Sequence, residues 1–392
     1  MHELIKQEGK RIAEKLIEIR RDIHMHPELG MEEFRTARLV ADILKGLNME
    51  VQEGLGNTGV VGILRGKSSG RTLALRGDMD ALAIQEDNDV PYKSTYAGKM
   101  HACGHDGHVA MLLGAAMILS RIRDSFHGQV KFVFQPAEEK GPEGGAKFLI
   151  EDGVLDKVDA SVGYHIFPQI PAGRFSVKYG LMMASSDTFQ INIHGKGGHP
   201  GLPHQTVDAI AVSGYIITSL QTIISRNTDP LNPAVISLGT ITGGTKHNII
   251  AGKAEIRGTA RTFGAASRAY VEERIKALVH GICQGMGARG EVIYQHGYPH
   301  LENDNTVVRH VEKSLKDLWG PDAVVPMERP VMGSEDFSYF SQQVPSAYFV
   351  IGGGVPGKDF YPNHHPRFNF DESILERGAV GLAKIAQGYL QE

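Results

Sequence analysis

The chain has 392 residues, 41% of them apolar and 22% charged, and 41 Lys and Arg against 45 Asp and Glu leave a formal charge of −4. That length sets an expectation of two or three domains with room for a large core, and a near-balanced charge without a long basic run excludes nucleic acid or an anionic membrane as the expected partner. Two cysteines, Cys103 and Cys283, are too few for a disulfide framework and fit a reducing compartment.

The first residues, Met1 to Arg21, are charged throughout and lack the apolar core of a signal peptide. No stretch reaches the roughly 18 apolar residues of a membrane span, so a cytoplasmic protein is expected. Leu4, Ile5, Ile12, Leu16, Ile17 and Ile19 recur at helical spacing over residues 3–24, and Glu32–Leu47 reads as a second helix. Strands are expected at Val60–Leu64 and Thr72–Arg76, then a helix over about 107–122, a strand at Gln129–Gln135, a helix at Ala146–Glu151 and a strand at Ala160–His165. This alternation predicts a doubly wound α/β sheet, mixed in strand direction. The character shifts near Leu181–Ser186. Strand (Thr188–Gly195), helix (Val207–Arg226), strand (Ala234–Thr242), strand (Lys253–Phe263), helix (Ala266–Met286) and strand (Gly290–His296) follow in the β-α-β-β-α-β order of a ferredoxin-like unit. After Pro299 the α/β pattern resumes with a helix (Thr306–Leu318), a short helix after Ser334, a strand (Ala347–Ile351) and a closing helix (Glu372–Gln391). The expected organisation is a discontinuous larger domain, 1–183 and 299–392, carrying an inserted α+β lid or dimerisation domain at 184–298.

Residues 100–108, Met-His-Ala-Cys-Gly-His-Asp-Gly-His, concentrate ligand chemistry ahead of an apolar run. Cys103 and His105 offer a thiolate and an imidazole, both good donors to a borderline-soft divalent ion. Other candidates sit where an open α/β sheet binds its ligands, beyond the carboxyl ends of strands. Asp78 and Asp80 follow one strand, Glu138 and Glu139 another, His165 closes a third, and His364 and His365 lie in the loop after 347–351. Adjacent carboxylates at a strand-to-loop turn can face different ways, so one of Glu138 and Glu139 can bind metal while the other stays free as a general base. Such parts suit hydrolysis of a polarised carbonyl, most simply an amide.

Six motifs carry a resemblance across essentially the whole chain: Arg-Arg-Asp-Ile-His-Met-His-Pro-Glu-Leu-Gly (20–30), Arg-Gly-Asp-Met-Asp-Ala-Leu (76–82), His-Ala-Cys-Gly-His-Asp-Gly-His (101–108), Phe-Gln-Pro-Ala-Glu-Glu (134–139), Gly-Lys-Gly-Gly-His (195–199) and Gly-Ser-Glu-Asp-Phe (333–337). With them the chain resembles the metal-dependent aminoacylase and carboxypeptidase family, in the branch of hippurate hydrolases, N-acyl-amino-acid amidohydrolases and auxin-conjugate hydrolases. The resemblance implies two divalent metal ions per subunit (Zn, Mn, Co or Ni), held by Cys103, His105, Glu139, His165 and His364 with Cys103 bridging. It makes Glu138 the general base and Asp80 a carboxylate steering a ligand imidazole. The wider family has His-x-Asp where this chain has Asp78-Met79-Asp80, so one ligand of the general pattern is lost. His364 is preferred to His365 on the family's His-x-x-x-Phe pattern at 364–368.

For the inserted domain the resemblance implies that His199, in its own or a partner's site, stabilises the oxyanion. It implies that Asn248 and Arg261 bind the substrate's amide and carboxylate, to which an arginine offers paired donors. Glu335 would contact a ligand or the substrate amine. His24, His26, His101, His108, His204 and His247 are read as structural or supporting. The expected activity is cleavage of N-acyl amino acids to a carboxylic acid and a free L-amino acid; the resemblance implies a small-molecule N-acyl amino acid or short peptide as substrate and a homodimer or higher homo-oligomer. A carboxypeptidase or dipeptidase shares every catalytic part, and a catalytically silent binding protein on the same fold is the alternative of another class. The intact Glu138 and full ligand set argue against the silent form.

Overall fold

The computed structural model describes residues 1–355, 357 and 359–391. Its first half places α1 (His2–Met25), α2 (Phe34–Gly46), β1 (Glu50–Leu55), β2 (Gly59–Arg65), β3 (Thr72–Asp78), α3 (His105–Arg121), β4 (Gln129–Gln135), α4 (Gly145–Glu151), β5 (Ala160–Pro171), β6 (Phe175–Val177) and β7 (Gly180–Met183). Then come β8 (Asp187–His194), α5 (Ala209–Thr222), β9 (Ala234–Gly243), β10 (Lys253–Thr262), α6 (Ala265–Gly285) and β11 (Arg289–His296). The chain closes with β12 (Leu301–Asn303), α7 (Asn305–Trp319), β13 (Val324–Pro326), α8 (Ser338–Ser341), β14 (Ser346–Gly354) and α9 (Ile374–Tyr389). Two compact units result: Met1–Met182 with Glu302–Arg329 and Asp336–Glu392, and Met183–Leu301 with Pro330–Glu335.

The larger unit is built on an eight-stranded mixed sheet in the order β1-β2-β4-β3-β5-β14-β6-β13. Its four central strands, β4, β3, β5 and β14, run parallel, whereas β2 meets β4 and β6 meets β14 antiparallel. Parallel strands covered on both faces are apolar without alternation, and every residue of β3 is buried. On α1 the apolar period turns Ile5, Ile12, Leu16, Ile19 and Ile23 to one buried face. That face packs against α3 and α9, both almost wholly buried along their length. The carboxyl ends of β3, β4 and β5 therefore open on one side, where the chain has placed its acids and imidazoles.

The smaller unit has a four-stranded antiparallel sheet in the order β11-β8-β10-β9. With α5 and α6 as its two crossovers, this is the ferredoxin-like arrangement. Burial alternates along β8 and β10, so one face of the sheet meets the helices through Phe189, Ile191, Ile193, Ile256, Val212, Ile216, Val271 and Ile275. Asp208 caps α5 by accepting from the backbone N–H groups of Ile210 and Ala211. Among the described residues, no helix is long and apolar enough to cross a membrane.

Candidate metal centre

His105 is the first residue of α3, and the left-handed Gly104 (φ 91°) makes the turn that delivers it. Its Nδ1 lies 2.9 Å from the backbone oxygen of Asp80 and 3.2 Å from Asp80 Oδ1. A carbonyl only accepts, so Nδ1 carries the proton and, in the neutral ring, Nε2 keeps the lone pair. That Nε2 is buried and has no hydrogen-bond partner among the described residues. It stands 3.7 Å from Asp78 Oδ1, beyond hydrogen-bond reach. His165, in β5, repeats the pattern: Nδ1 is 2.9 Å from the Ile166 carbonyl, and Nε2 is left facing Cys103 Sγ at 3.3 Å. His364 lies in the loop after β14 with a left-handed backbone (φ 68°). Its N–H donates to the Ala102 carbonyl (2.8 Å), and its Nε2 reaches Glu139 Oε1 at 3.0 Å. His365 turns away and stacks on Tyr361, with ring centroids 4.6 Å apart.

The ligand atoms of Cys103, His105 and His165 lie within 4.8 Å of one another, as do those of Cys103, Glu139 and His364. His105, Glu138 and Glu139 form a further such group. The thiol is common to the first two groups, which is the placement a bridging ligand requires. The local field favours a cation. Burial disfavours a charged His105, yet Asp78, Asp80 and Glu139 overcome it and push the ring up to about 10. Burial, then the charges of Glu139 and Glu138, drive the Cys103 thiol well above its ordinary range. Burial and the neighbouring His108 push His165 down, which keeps its lone pair free. Glu139 titrates below the usual carboxylate range although burial opposes this, because His364 and His105 face it. A divalent ion can replace the proton on His105 and convert the thiol to thiolate. Donor set, orphaned Nε2 and field all fit such an ion.

Asp80 is buried and holds two parts of this arrangement at once. Besides meeting His105 Nδ1, it accepts the backbone N–H of Glu139 through Oδ2 at 2.9 Å. Glu138, also buried, leads the 3₁₀ segment that begins where β4 ends.

A family model described as peptidase family M20/M25/M40 matches residues 74–388. The chain belongs to this family. It is 44% identical over 387 residues to thermostable carboxypeptidase 2 of Saccharolobus solfataricus, covering 98% of each chain. It is 43% identical over 312 residues to an N-acyl-L-amino acid amidohydrolase of Geobacillus stearothermophilus, covering 78% of this chain and 84% of that one. A solved Bacillus subtilis structure, described as a dinuclear metal-binding peptidase of the M20 family, superposes with a TM-score of 0.86 at 35% identity. The match covers 97% of this chain and 99% of that one. The M20/M25/M40 chain is thus a hydrolase of the mixed α/β fold expected from its sequence.

Not every residue singled out in the sequence lies in this cluster. All five expected ligands, with Glu138 and Asp80, belong to the larger unit, while His199, Asn248, Arg261 and Glu335 belong to the smaller one. There His199 is exposed, accepting the Gly201 N–H at its Nδ1 (3.1 Å), and Asn248 is exposed as well. Arg261 is half-buried and donates to Ser334 Oγ at 2.9 Å. Glu335 is buried. Of the groups that support the cluster, Asp78 and His108 were singled out in the sequence and Asp336 was not. Asp78, where the general family pattern has histidine, accepts from Arg76 Nη1 (2.6 Å) and meets His108 Nδ1 (2.5 Å). His108 Nε2 in turn accepts the Ile166 N–H at 3.0 Å, immediately after His165. Asp336, neighbour of the singled-out Glu335, accepts from Arg76, Gln135 and the Ala146 N–H. The signal for His108 was its i,i+3 spacing from His105, which puts both rings on one face of α3.

Proposed function

We propose that this chain is a metal-dependent amidohydrolase that releases a free amino acid from an N-acyl amino acid. Cys103, His105, Glu139, His165 and His364 would hold two divalent ions, with Cys103 shared between them. The observation that carries the reading is the convergence of one thiol, three imidazoles and Glu139 beside a further buried carboxylate, Glu138. Ions held there supply Lewis acidity toward a carbonyl and lower the pKa of a water nearby. Glu138, without a metal role in this reading, takes the proton from the attacking water and returns it to the departing amine nitrogen. Asp80 fixes the His105 tautomer and the Glu139 backbone, so neither has to reorganise during the reaction. In this reading His199, in its own or a partner's site, would stabilise the oxyanion, Arg261 and Asn248 would bind the substrate's carboxylate and amide, and Glu335 would contact a ligand or the substrate amine. The half-buried Arg261 guanidinium, with the Ser334 hydroxyl as its partner, suits a free α-carboxylate.

The relatives support two substrate classes, N-acyl amino acids and peptides with a free carboxyl end, and the same parts serve both. We favour the first and keep a carboxypeptidase or dipeptidase as the second, since a carboxypeptidase relative matches this chain over nearly its full length. The reading also includes a cytoplasmic homodimer. Both cysteines are unpaired thiols, which suits a reducing compartment. Tyr215 and Ile210, 63% and 50% exposed on α5, offer apolar surface for a second copy.

The test is hydrolysis of benzoyl-glycine, several N-acetyl amino acids, indoleacetyl-alanine and a few dipeptides, before chelation, after it, and after adding back Zn, Mn, Co or Ni. Metal-restored cleavage of the acyl amino acids over dipeptides is expected. Preference for dipeptides would move the protein to the second class, and no cleavage with any metal would overturn both. Glu138→Gln should keep its metal and lose turnover by roughly 10²–10⁴-fold; a variant of normal activity would remove the assigned base.

A further inference from the structure

The turn that presents Glu138 and Glu139 is built on Ala137, whose φ of 54° puts a residue with a Cβ in the left-handed region. Such a conformation persists only where the surroundings hold it. Three contacts do so. The Ala137 N–H donates to Glu33 Oε1 at 2.8 Å, the Ala137 carbonyl accepts the Gly145 N–H at 3.1 Å, and the Glu139 N–H donates to Asp80 Oδ2 at 2.9 Å. The first is the unusual one, because its acceptor comes from more than a hundred residues earlier in the chain. Glu33 is 0% exposed, and its second oxygen accepts the hydroxyl of the buried Thr58 at 2.6 Å. The carboxyl group is thereby oriented at both ends. Gly30, three residues before it, comes so close that a Cβ there would lie 3.0 Å from Ala137 Cα. The segment 30–33 therefore has Ala137 as its neighbour at two points.

We infer that Glu33 is a positioning residue for the general base: by accepting the Ala137 N–H it holds the left-handed turn that brings the Glu138 and Glu139 carboxylates beside His105. Released, Ala137 relaxes toward the ordinary right-handed or extended regions, and the Glu138 carboxylate moves with it. The Glu33 carboxylate is engaged by the Ala137 N–H and the Thr58 hydroxyl, so its effect falls on turnover rather than on substrate affinity. The inference rests on Glu138 being the base, as proposed above.

The experiment compares the metal-loaded wild type with Glu33→Ala and Glu33→Gln. It measures bound metal, kcat and KM for an acyl amino acid that the wild type cleaves, and deuterium uptake of the backbone over 134–145. Glu33→Ala should retain metal and lower kcat about 10–100-fold, as a small misplacement of a reacting group does, with KM within about threefold. Uptake over 134–145 should rise in that variant. Glu33→Gln keeps a carbonyl acceptor for the Ala137 N–H and should stay within about threefold of wild-type kcat. Wild-type kcat and uptake in Glu33→Ala would overturn the inference. So would a Glu33→Gln variant as slow as Glu33→Ala but with wild-type uptake, because charge rather than the held turn would then be at work. If the wild type cleaves no substrate, the functional reading falls, and uptake alone decides whether Glu33 holds the turn. Should Glu33→Ala fail to accumulate folded, Thr58→Val frees the other end of the carboxylate, with an expected kcat loss of about 3–10-fold. Wild-type kcat and uptake there would equally overturn it.

Discussion

His108 commits both of its ring nitrogens, one to Asp78 and one to the Ile166 N–H. The second contact decides the tautomer, since a backbone N–H only donates, so Nδ1 holds the proton and gives it to Asp78. The ring thus ties the end of β3 to the backbone beside His165, with burial as its largest influence and a net downward shift of its pKa. Removing such a support around a metal site typically costs ~10–100-fold in metal affinity or activity. We expect His108→Phe to bind Zn or Mn ~10–100-fold more weakly by competition with a chelator, while remaining folded; unchanged affinity would leave His108 with a packing role alone. A second expectation follows from Cys103. Burial and the nearby carboxylates raise its thiol well above the ordinary range, so an ion must displace a proton to bind, and acid opposes loading. Metal occupancy should fall as pH falls, and Cys103→Ala should weaken binding at every pH and flatten that dependence. Equal slopes in the two proteins would show that the thiolate is not a ligand. Cysteine, histidine and glutamate announce themselves by type, so candidates for the cluster were legible in the sequence, and the resemblance to the family chose among them. The direction of each imidazole proton was not, because the carbonyl of Asp80 and the N–H of Ile166 arrive only with the fold.

The long periodic elements were legible for a comparable reason: α1, α3, α9 and the central strands each bury a face or a whole run, and burial writes the pattern. β1 escaped because it is a sheet-edge strand, and none of its residues is fully buried. The three-residue strands β6, β12 and β13 are too short to show any period. β5 was expected to stop at His165 but continues to Pro171, since its later residues still pair with β14 across a bulge near Gly352 and Gly354. The layer formed by α1, α3 and α9 depends on small residues at the crossing. A Cβ on Gly114 of α3 would lie 2.6 Å from Ala379 Cβ and 3.0 Å from the methyl carbons of Leu16. Ala379 Cβ cannot withdraw without moving its helix, whereas Leu16 can turn its methyl groups aside. Gly114→Val should therefore destabilise the larger unit by about 1–3 kcal/mol through overpacking, offset in part by its better helix propensity. Chemical denaturation of the holoprotein measures this, and a variant as stable as wild type would mean that the helices slide apart without strain.

Across the whole molecule, the proposed metal set gathers residues 103, 105, 139, 165 and 364, all from the larger unit. The smaller unit has a separate hydrophobic core and contributes none of them. An ion that binds only the folded larger unit stabilises it by mass action, about 2.7 kcal/mol at a free concentration one hundred times Kd. For a unit of this size that corresponds to about 5–10 °C in the midpoint of unfolding. Calorimetry of the metal-loaded and chelated protein should then show one transition moving down by about that amount on chelation, with a second, from the smaller unit, staying in place. A single transition would mean that the units unfold as one, and no shift on chelation would remove the ion from the proposed ligand set. The result separates a metal that serves the chemistry alone from one that also fastens the loop at 364 and the start of α3 to the end of β4. The ligand positions favour the second, because no local segment contains more than two of the five.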